Sequence, residues 1–226
     1  MGCFITLEGP EGGGKTTQHQ ALHDYLAEAG YDVLAVREPG STAIGDQIRQ
    51  ILHSPLNNSM SPSAELLLYS ASRAQLVSES ILPALQSGRI VVADRYADST
   101  MAYQGYGHGL DLSLLQAVTK LATGGLRPDL TLFLDIAPEE GLKRKQRDFE
   151  SGVGEWNRMD QKELAFHQRV REGYLQMIAA DPDRWYRLDA TSDIISVQRA
   201  IRERVHRLLA ELHIEPRRAK SRKETR

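Results

Sequence analysis

A glycine-rich turn between an apolar run and an amphipathic one limits what this chain can become more than any other stretch. Gly9-Pro10-Glu11-Gly12-Gly13-Gly14-Lys15-Thr16-Thr17 fits the spacing G-x-x-x-x-G-K-[ST] through Gly9, Gly14, Lys15 and Thr16. Residues 3–7 before it read as a buried strand, and residues 17–26 after it carry apolar side chains at helical spacing, so the glycines fall at a strand-to-helix turn. Glycines let the backbone wrap an anion closely and aim N–H groups at it, while the following helix adds the positive end of its dipole. The stretch from Gly9 to Thr17 is therefore the expected phosphate cradle. Lys15 is expected to reach the outer phosphates of a nucleotide and the Thr16 hydroxyl to ligate Mg²⁺.

The remaining pattern alternates. Residues 31–36, 89–93, 130–134 and 185–188 read as further short strands. Helical spacing occupies 43–52, a long stretch from a Ser61 or Ser63 cap to about 86, then 112–122, 160–180 and 194–212. Residues 104–109 are too rich in glycine to be expected as regular structure, and 142–157 form a basic, glycine-interrupted segment. Asp135, shortly before Pro138, reads as a helix entry cap. Strands alternating with helices predict an α/β chain, a P-loop NTPase three-layer fold with about five parallel strands flanked by helices. Ligands then belong at the carboxyl ends of the strands, where Glu11, Lys15, Glu38, Asp94, Arg95 and Asp189 all fall. The expected organisation is one domain over 1–212, with a lid at about 142–158 and a basic, disordered tail over 213–226.

Charge and hydropathy exclude several classes. No apolar run approaches the ~18 residues of a membrane span, and the N-terminus lacks the basic and apolar blocks of a signal peptide, so the expectation is a soluble, cytoplasmic chain with no membrane partner. The single Cys3 cannot form an internal disulfide and is expected to pack as a small core residue. Formal net charge is −2, but residues 216–226 carry +5, which leaves −7 for the rest. An acidic body argues against a nucleic-acid surface, and a short basic end without aromatics reads as solubilising rather than as a binding arm.

Asp94 ends an apolar strand, which suits either a turn residue or the acidic partner of the P-loop, holding Mg²⁺ directly or through water. Arg95 beside it can neutralise that carboxylate or bind a substrate phosphate in bidentate fashion. Tyr69 and Arg73 are four apart on the long helix and share a face, as in ordinary packing or in a ring that stacks on a base with a guanidinium at its edge. A GTPase switch is excluded, because none of the asparagines begins an Asn-Lys-x-Asp.

These residues together resemble the bacterial thymidylate kinase family. The resemblance rests on the P-loop, on Arg37-Glu38-Pro39-Gly40, on Leu67-Leu68-Tyr69-Ser70-Ala71-Ser72-Arg73, and on Asp94-Arg95-Tyr96-Ala97-Asp98-Ser99-Thr100-Met101-Ala102-Tyr103-Gln104-Gly105. It covers about 1–212 and implies transfer of a phosphoryl group from ATP to dTMP with Mg²⁺, in a homodimer built through the long helix. The alternative is a P-loop kinase for another monophosphate or small acceptor. The resemblance implies that Tyr69 stacks on thymine, Arg73 donates to its 4-oxo group and Thr100 meets the base edge. Arg95 and Arg49 would hold the dTMP phosphate, Tyr103 and Gln104 would wall the sugar and base, and Glu11 would bond the 3′-hydroxyl. Glu38 and Ser99 complete the implied substrate set, and Ala190 would meet adenine through its backbone. Because the variable P-loop positions carry no cation, positive charge for the transferring group is expected from the lid, through Arg144, Arg147 and Arg158 acting with Lys15 and Arg95. A solvated basic helix face is the plain alternative for that segment. Two departures from the family pattern stand out: Ser41 where glycine is common, which must adopt a φ open to a non-glycine residue, and a longer lid with Asn157-Arg158 in place of an acidic-Arg pair.

Overall fold

In the computed structural model, which describes residues 2–216, five strands form one parallel sheet in the order β2-β3-β1-β4-β5. They are β1 Cys3–Glu8, β2 Val33–Arg37, β3 Ile90–Asp94, β4 Leu130–Asp135 and β5 Trp185–Asp189. β1 and β4 are buried along their whole length, as central parallel strands covered on both faces must be. Side chains alternate between the faces. Cys3, Ile5 and Leu7 pack with Leu22 and Leu26 of α1 (Lys15–Glu28) and with Val197, Ile201 and Val205 of α9 (Ile194–Glu211). Phe4 faces the other way with Val91, Ala93 and Leu76 of α3 (Pro62–Leu76), and farther along that face Phe133 and Trp185 meet Tyr174 of α8 (Leu164–Ala180). Helix, sheet and helix thus form three layers. The register sets Leu7 opposite Asp94 and Glu8 opposite Phe133, so the P-loop leaves β1 beside the end of β3.

Ser61 caps α3, its hydroxyl accepting from the Ala64 N–H at 3.2 Å, and a π turn, Val77–Ile81, carries the chain into α4 (Leu82–Gln86). Pro83 has no N–H to give to the preceding turn, which a widened turn accommodates. α2 (Ala43–His53) and α6 (Leu112–Thr123) fall where helical spacing predicts them.

Four expectations need correction. The glycine-rich stretch is regular: α5 (Ala97–Thr100) runs into a π-helical segment, Met101–Gly107. A Cβ on Gly105 would lie 2.6 Å from a Leu112 methyl and one on Gly107 2.7 Å from the Phe166 ring, so these glycines permit close helix contact rather than break a helix. The basic segment is helical too, as α7 (Pro138–Glu150), and only 151–163 lack a helix. Asp135 caps nothing; it pairs with Arg171 at 2.7 Å and Arg187 at 2.5 Å. Residues 213 and 214, assigned to the tail, instead terminate α9, with the His213 N–H donating to Ala210 O and the Ile214 side chain packed on the core. The rest of the basic tail, 217–226, lies outside the described residues.

Candidate active site

α1 begins directly on the glycine turn. Gly14 stands at φ +81 and no side chain caps the helix, which leaves first-turn N–H groups for an anion. Gly12 lets the loop touch α7: a Cβ there would lie 1.9 Å from Gly141 O. Lys15 Nζ donates to the carbonyls of Gly9 at 3.0 Å and Pro10 at 2.7 Å. Burial, and then Arg95, depress its pKa to about 8, against the pull of Glu11 and Asp94. Such an ammonium is short of anionic partners and suited to gain phosphate oxygens. Thr16 Oγ1 donates to Asp94 Oδ2 at 2.8 Å. Mg²⁺ prefers hard oxygen donors and takes one or two from protein with the rest from phosphates and water, and this hydroxyl–carboxylate pair beside the cradle fits it.

From the P-loop a cavity of about 820 Å³ extends under α2 and α3. Arg95 lines it, at φ +72, and its guanidinium donates to Glu11 at 2.8 Å, to the Tyr103 hydroxyl at 3.0 Å, and to Ser99 Oγ and Gly9 O at 3.2 Å. Burial opposes ionisation of Glu11, yet Arg95, Lys145 and Lys15 hold its carboxyl well below the usual range. Farther in, Arg73 donates from Nε to Glu38 at 2.8 Å, from Nη1 to Thr100 Oγ1 at 2.8 Å and from Nη2 to Tyr96 O at 3.0 Å. A guanidinium has five donors, so one Nη1 hydrogen stays available. Tyr69 and Gln104 join Arg73, Thr100 and Tyr103 in the wall, with Arg49 at the mouth, donating to Pro39 O at 3.2 Å. Ser41 takes φ +64, in the left-handed region rather than an ordinary non-glycine one. Its hydroxyl accepts from the Arg37 N–H at 2.8 Å and its own N–H donates to Asp46 at 3.1 Å, local bonds that offset the backbone cost.

The lid differs from expectation. Arg144, Arg147 and Arg158 do not border the cavity. Because α7 extends to Glu150, residues 141 and 145 face the P-loop while 144 and 147 turn away. Arg144 donates to Ala190 O at 2.8 Å and Glu140 at 3.3 Å, and Arg147 is exposed. Arg158 is buried, paired with Glu65 at 2.5 Å and bonded from Nε to Leu52 O at 3.1 Å. The lid cation that reaches the site is Lys145, 2.6 Å from Asp160 and 3.5 Å from Glu11. Ala190 is also less available than expected, since its N–H donates to Asp135 O and its carbonyl accepts from Arg144. The loop after α7 reaches α2, where Glu155 lies 3.4 Å from Arg49.

Three buried carboxylates have no role predicted from the sequence: Glu8, Glu65 and Asp160, the partner of Lys145. Glu8, ending β1, is buried beneath Arg95; its only signal was an acid closing an otherwise apolar strand. Glu65 on α3 accepts from Gln104 Nε2 at 2.7 Å, lies 3.1 Å from His108 Nε2, and pairs with Arg158. Its signal was the spacing 65, 69, 73, which sets it on the face of Tyr69 and Arg73.

A phosphate cradle with its lysine and acidic partner, opening into a second pocket walled by an aromatic ring and arginines, defines a P-loop phosphotransferase with room for an acceptor. The sequence model of the thymidylate kinase family matches residues 7–201, and the chain belongs to that family. A thymidylate kinase of Roseiflexus sp. (strain RS-1) is 51% identical over 219 residues, covering 94% of this chain and 97% of its own length. One of Herpetosiphon aurantiacus is 52% identical over 210 residues, covering 84% and 89%. The crystal structure of thymidylate kinase from Ehrlichia chaffeensis is 31% identical with a TM-score of 0.73, over 91% of this chain and 98% of that one.

Proposed function

We propose that this chain transfers the γ-phosphoryl group of ATP to dTMP, releasing dTDP and ADP. The observation that carries the reading is one cavity joining the P-loop to the wall of Tyr69, Arg73, Thr100 and Gln104 through Arg95. Tyr69 stacks on the base, and the free Nη1 hydrogen of Arg73 donates to the 4-oxo group. Gln104 has its amide nitrogen committed to Glu65, which leaves its carbonyl oxygen as an acceptor at the wall. Tyr103, tied to Glu11 at 2.9 Å, closes the sugar side and crowds a 2′-hydroxyl.

Arg95 and Arg49 hold the dTMP phosphate in line with the γ-phosphorus. An anionic acceptor oxygen forms the new P–O bond as the bond to ADP breaks, and no strong base is needed because the nucleophile is already charged. Lys15 leaves its loop carbonyls for the β- and γ-oxygens, and Lys145 brings a second cation from α7. Thr16 and Asp94 would hold Mg²⁺, which supplies neutralisation of phosphate charge. Ser99 acts through Arg95, and Glu38 through Arg73. The reading includes a cytoplasmic homodimer using α3, on which Leu67 is exposed; no helix among the described residues is long and apolar enough to cross a membrane.

The test is ADP release from Mg-ATP with and without dTMP. Release that requires dTMP and matches dTDP formation one to one is expected. Release that ignores dTMP would refute the reading.

A further inference from the structure

We propose that Glu8 is the positioning residue for Arg95, fixing both the backbone turn and the direction of the guanidinium that meets the acceptor phosphate. The proposal rests on the reading of Arg95 as a phosphate ligand.

Glu8 is fully buried and does not border the cavity, so it cannot touch substrate. It sits on the sheet face of Phe4 and Thr6, where an apolar side chain would suit the strand better, and its carboxylate is satisfied from three directions. Oε1 accepts from the Tyr96 N–H at 2.8 Å, while Oε2 accepts from Ser99 Oγ at 2.6 Å and from the Tyr174 hydroxyl at 2.7 Å. Two of these bonds act on Arg95. The Tyr96 N–H belongs to the peptide that follows Arg95, whose φ of +72 is a conformation L-residues rarely adopt, so the bond pins the turn from its far side. Ser99 Oγ, turned toward Glu8 as a donor, presents its lone pair to Arg95 Nη1 at 3.2 Å, and Glu8 Oε2 itself lies 4.0 Å from that nitrogen. Tyr174 brings α8 into the same network. Without the carboxylate the Ser99 hydroxyl is free to turn to its other neighbour, the Tyr174 hydroxyl at 3.1 Å, and the guanidinium is left with Gly9 O as its support on the side away from Glu11. A group that acts this way shifts acceptor binding and leaves ATP binding alone.

The experiment measures dTMP and ATP dissociation constants by calorimetry for wild type, Glu8→Gln, Arg95→Ala and the double variant, each after its folding is checked by thermal melting. Glu8→Gln is expected to weaken dTMP roughly 10-fold, about the loss of one hydrogen bond to a charged group. ATP binding should stay within about twofold, and the Glu8→Gln effect should vanish in the Arg95→Ala background, where nothing is left to position. Equal weakening of ATP and dTMP, no weakening of dTMP, or a full effect persisting without Arg95 would each overturn the proposal. If Arg95→Ala alone leaves dTMP binding unchanged, the reading of Arg95 fails and the proposal with it. If Arg95→Ala weakens dTMP and Glu8→Gln does not, only the proposal fails. Should Glu8→Gln not fold, Ser99→Ala replaces it, with the same expected selectivity for dTMP and the same dependence on Arg95.

Discussion

Glu8 and Glu65 are both buried carboxylates behind the acceptor pocket, yet their surroundings push them in opposite directions. Burial, with Asp98, lifts the Glu8 carboxyl to about 7, although Arg95, Ser99 and Tyr174 favour its ionised form. Burial also opposes ionisation of Glu65, but His108, Arg158 and Gln104 outweigh it and bring the carboxyl down to about 2. The difference lies in the elements each residue joins. Glu8 organises the sheet half of the site, where strand ends set the positions and neutral donors suffice. Glu65 joins α3 to the loop after α7, which no ladder of backbone bonds holds, and there a direct ion pair does the joining.

The largest effect is expected at Lys15, which belongs to the sheet half and, in the proposed reading, to the chemistry. Lys15→Ala should lower kcat by roughly 1,000-fold, in the range for removing one donor to developing charge, while dTMP affinity holds within about twofold; a loss confined to dTMP binding would place Lys15 wrongly. Arg158→Ala belongs to the other half and should act on stability. It leaves Glu65 buried without its cation, a loss of about 3 kcal/mol or more in denaturant unfolding. Normal stability with a large loss of kcat would restore Arg158 to the catalytic role expected from sequence.

The two carboxylates should also give opposite pH slopes. Glu65 is ionised more readily folded than unfolded, so its contribution is full above pH 4.5 and is lost as pH falls toward 2. Glu8 is ionised less readily folded, so its cost is absent below pH 4.5 and grows as pH rises toward 7. Stability relative to Glu65→Gln should therefore rise from pH 2 to 4.5, and stability relative to Glu8→Gln should fall from 4.5 to 7, each by up to about 3 kcal/mol. Slopes of the same sign would remove the distinction. The smallest effect concerns Glu155, an exposed carboxylate 3.4 Å from Arg49. Glu155→Gln frees Arg49 from a competing anion and should tighten dTMP binding roughly twofold, as expected for a solvent-screened pair; weaker binding would mean that Glu155 supports the acceptor site.

Legibility follows the same division. The sheet half could be read because a parallel strand is an apolar run and the residue that ends it is fixed in space, so Lys15, Asp94 and Arg95 were placed by position alone. Tyr69 and Arg73 were legible as a pair through helical spacing. The lid was not, because its choice among cations turns on which face of α7 meets the P-loop, and that depends on the contact of Gly12 with Gly141, which no local pattern encodes. In sequence Lys145 therefore looks like its basic neighbours, and nothing local shows that Arg158 is held by Glu65. The π-helical stretch around Gly105 is hidden for a related reason: a glycine that admits a neighbouring helix looks, in sequence, like one that breaks its own.

Selection of thymine on a deoxyribose monophosphate by the acceptor pocket is tested most directly by steady-state kcat/KM for dTMP, dUMP, dCMP and UMP at saturating Mg-ATP. dTMP should be the best substrate, with dCMP and UMP each at least about 100-fold lower, since the site presents a donor and an acceptor to the wrong base edge in one case and Tyr103 to a 2′-hydroxyl in the other. Turnover of dCMP or UMP equal to or faster than that of dTMP would contradict it.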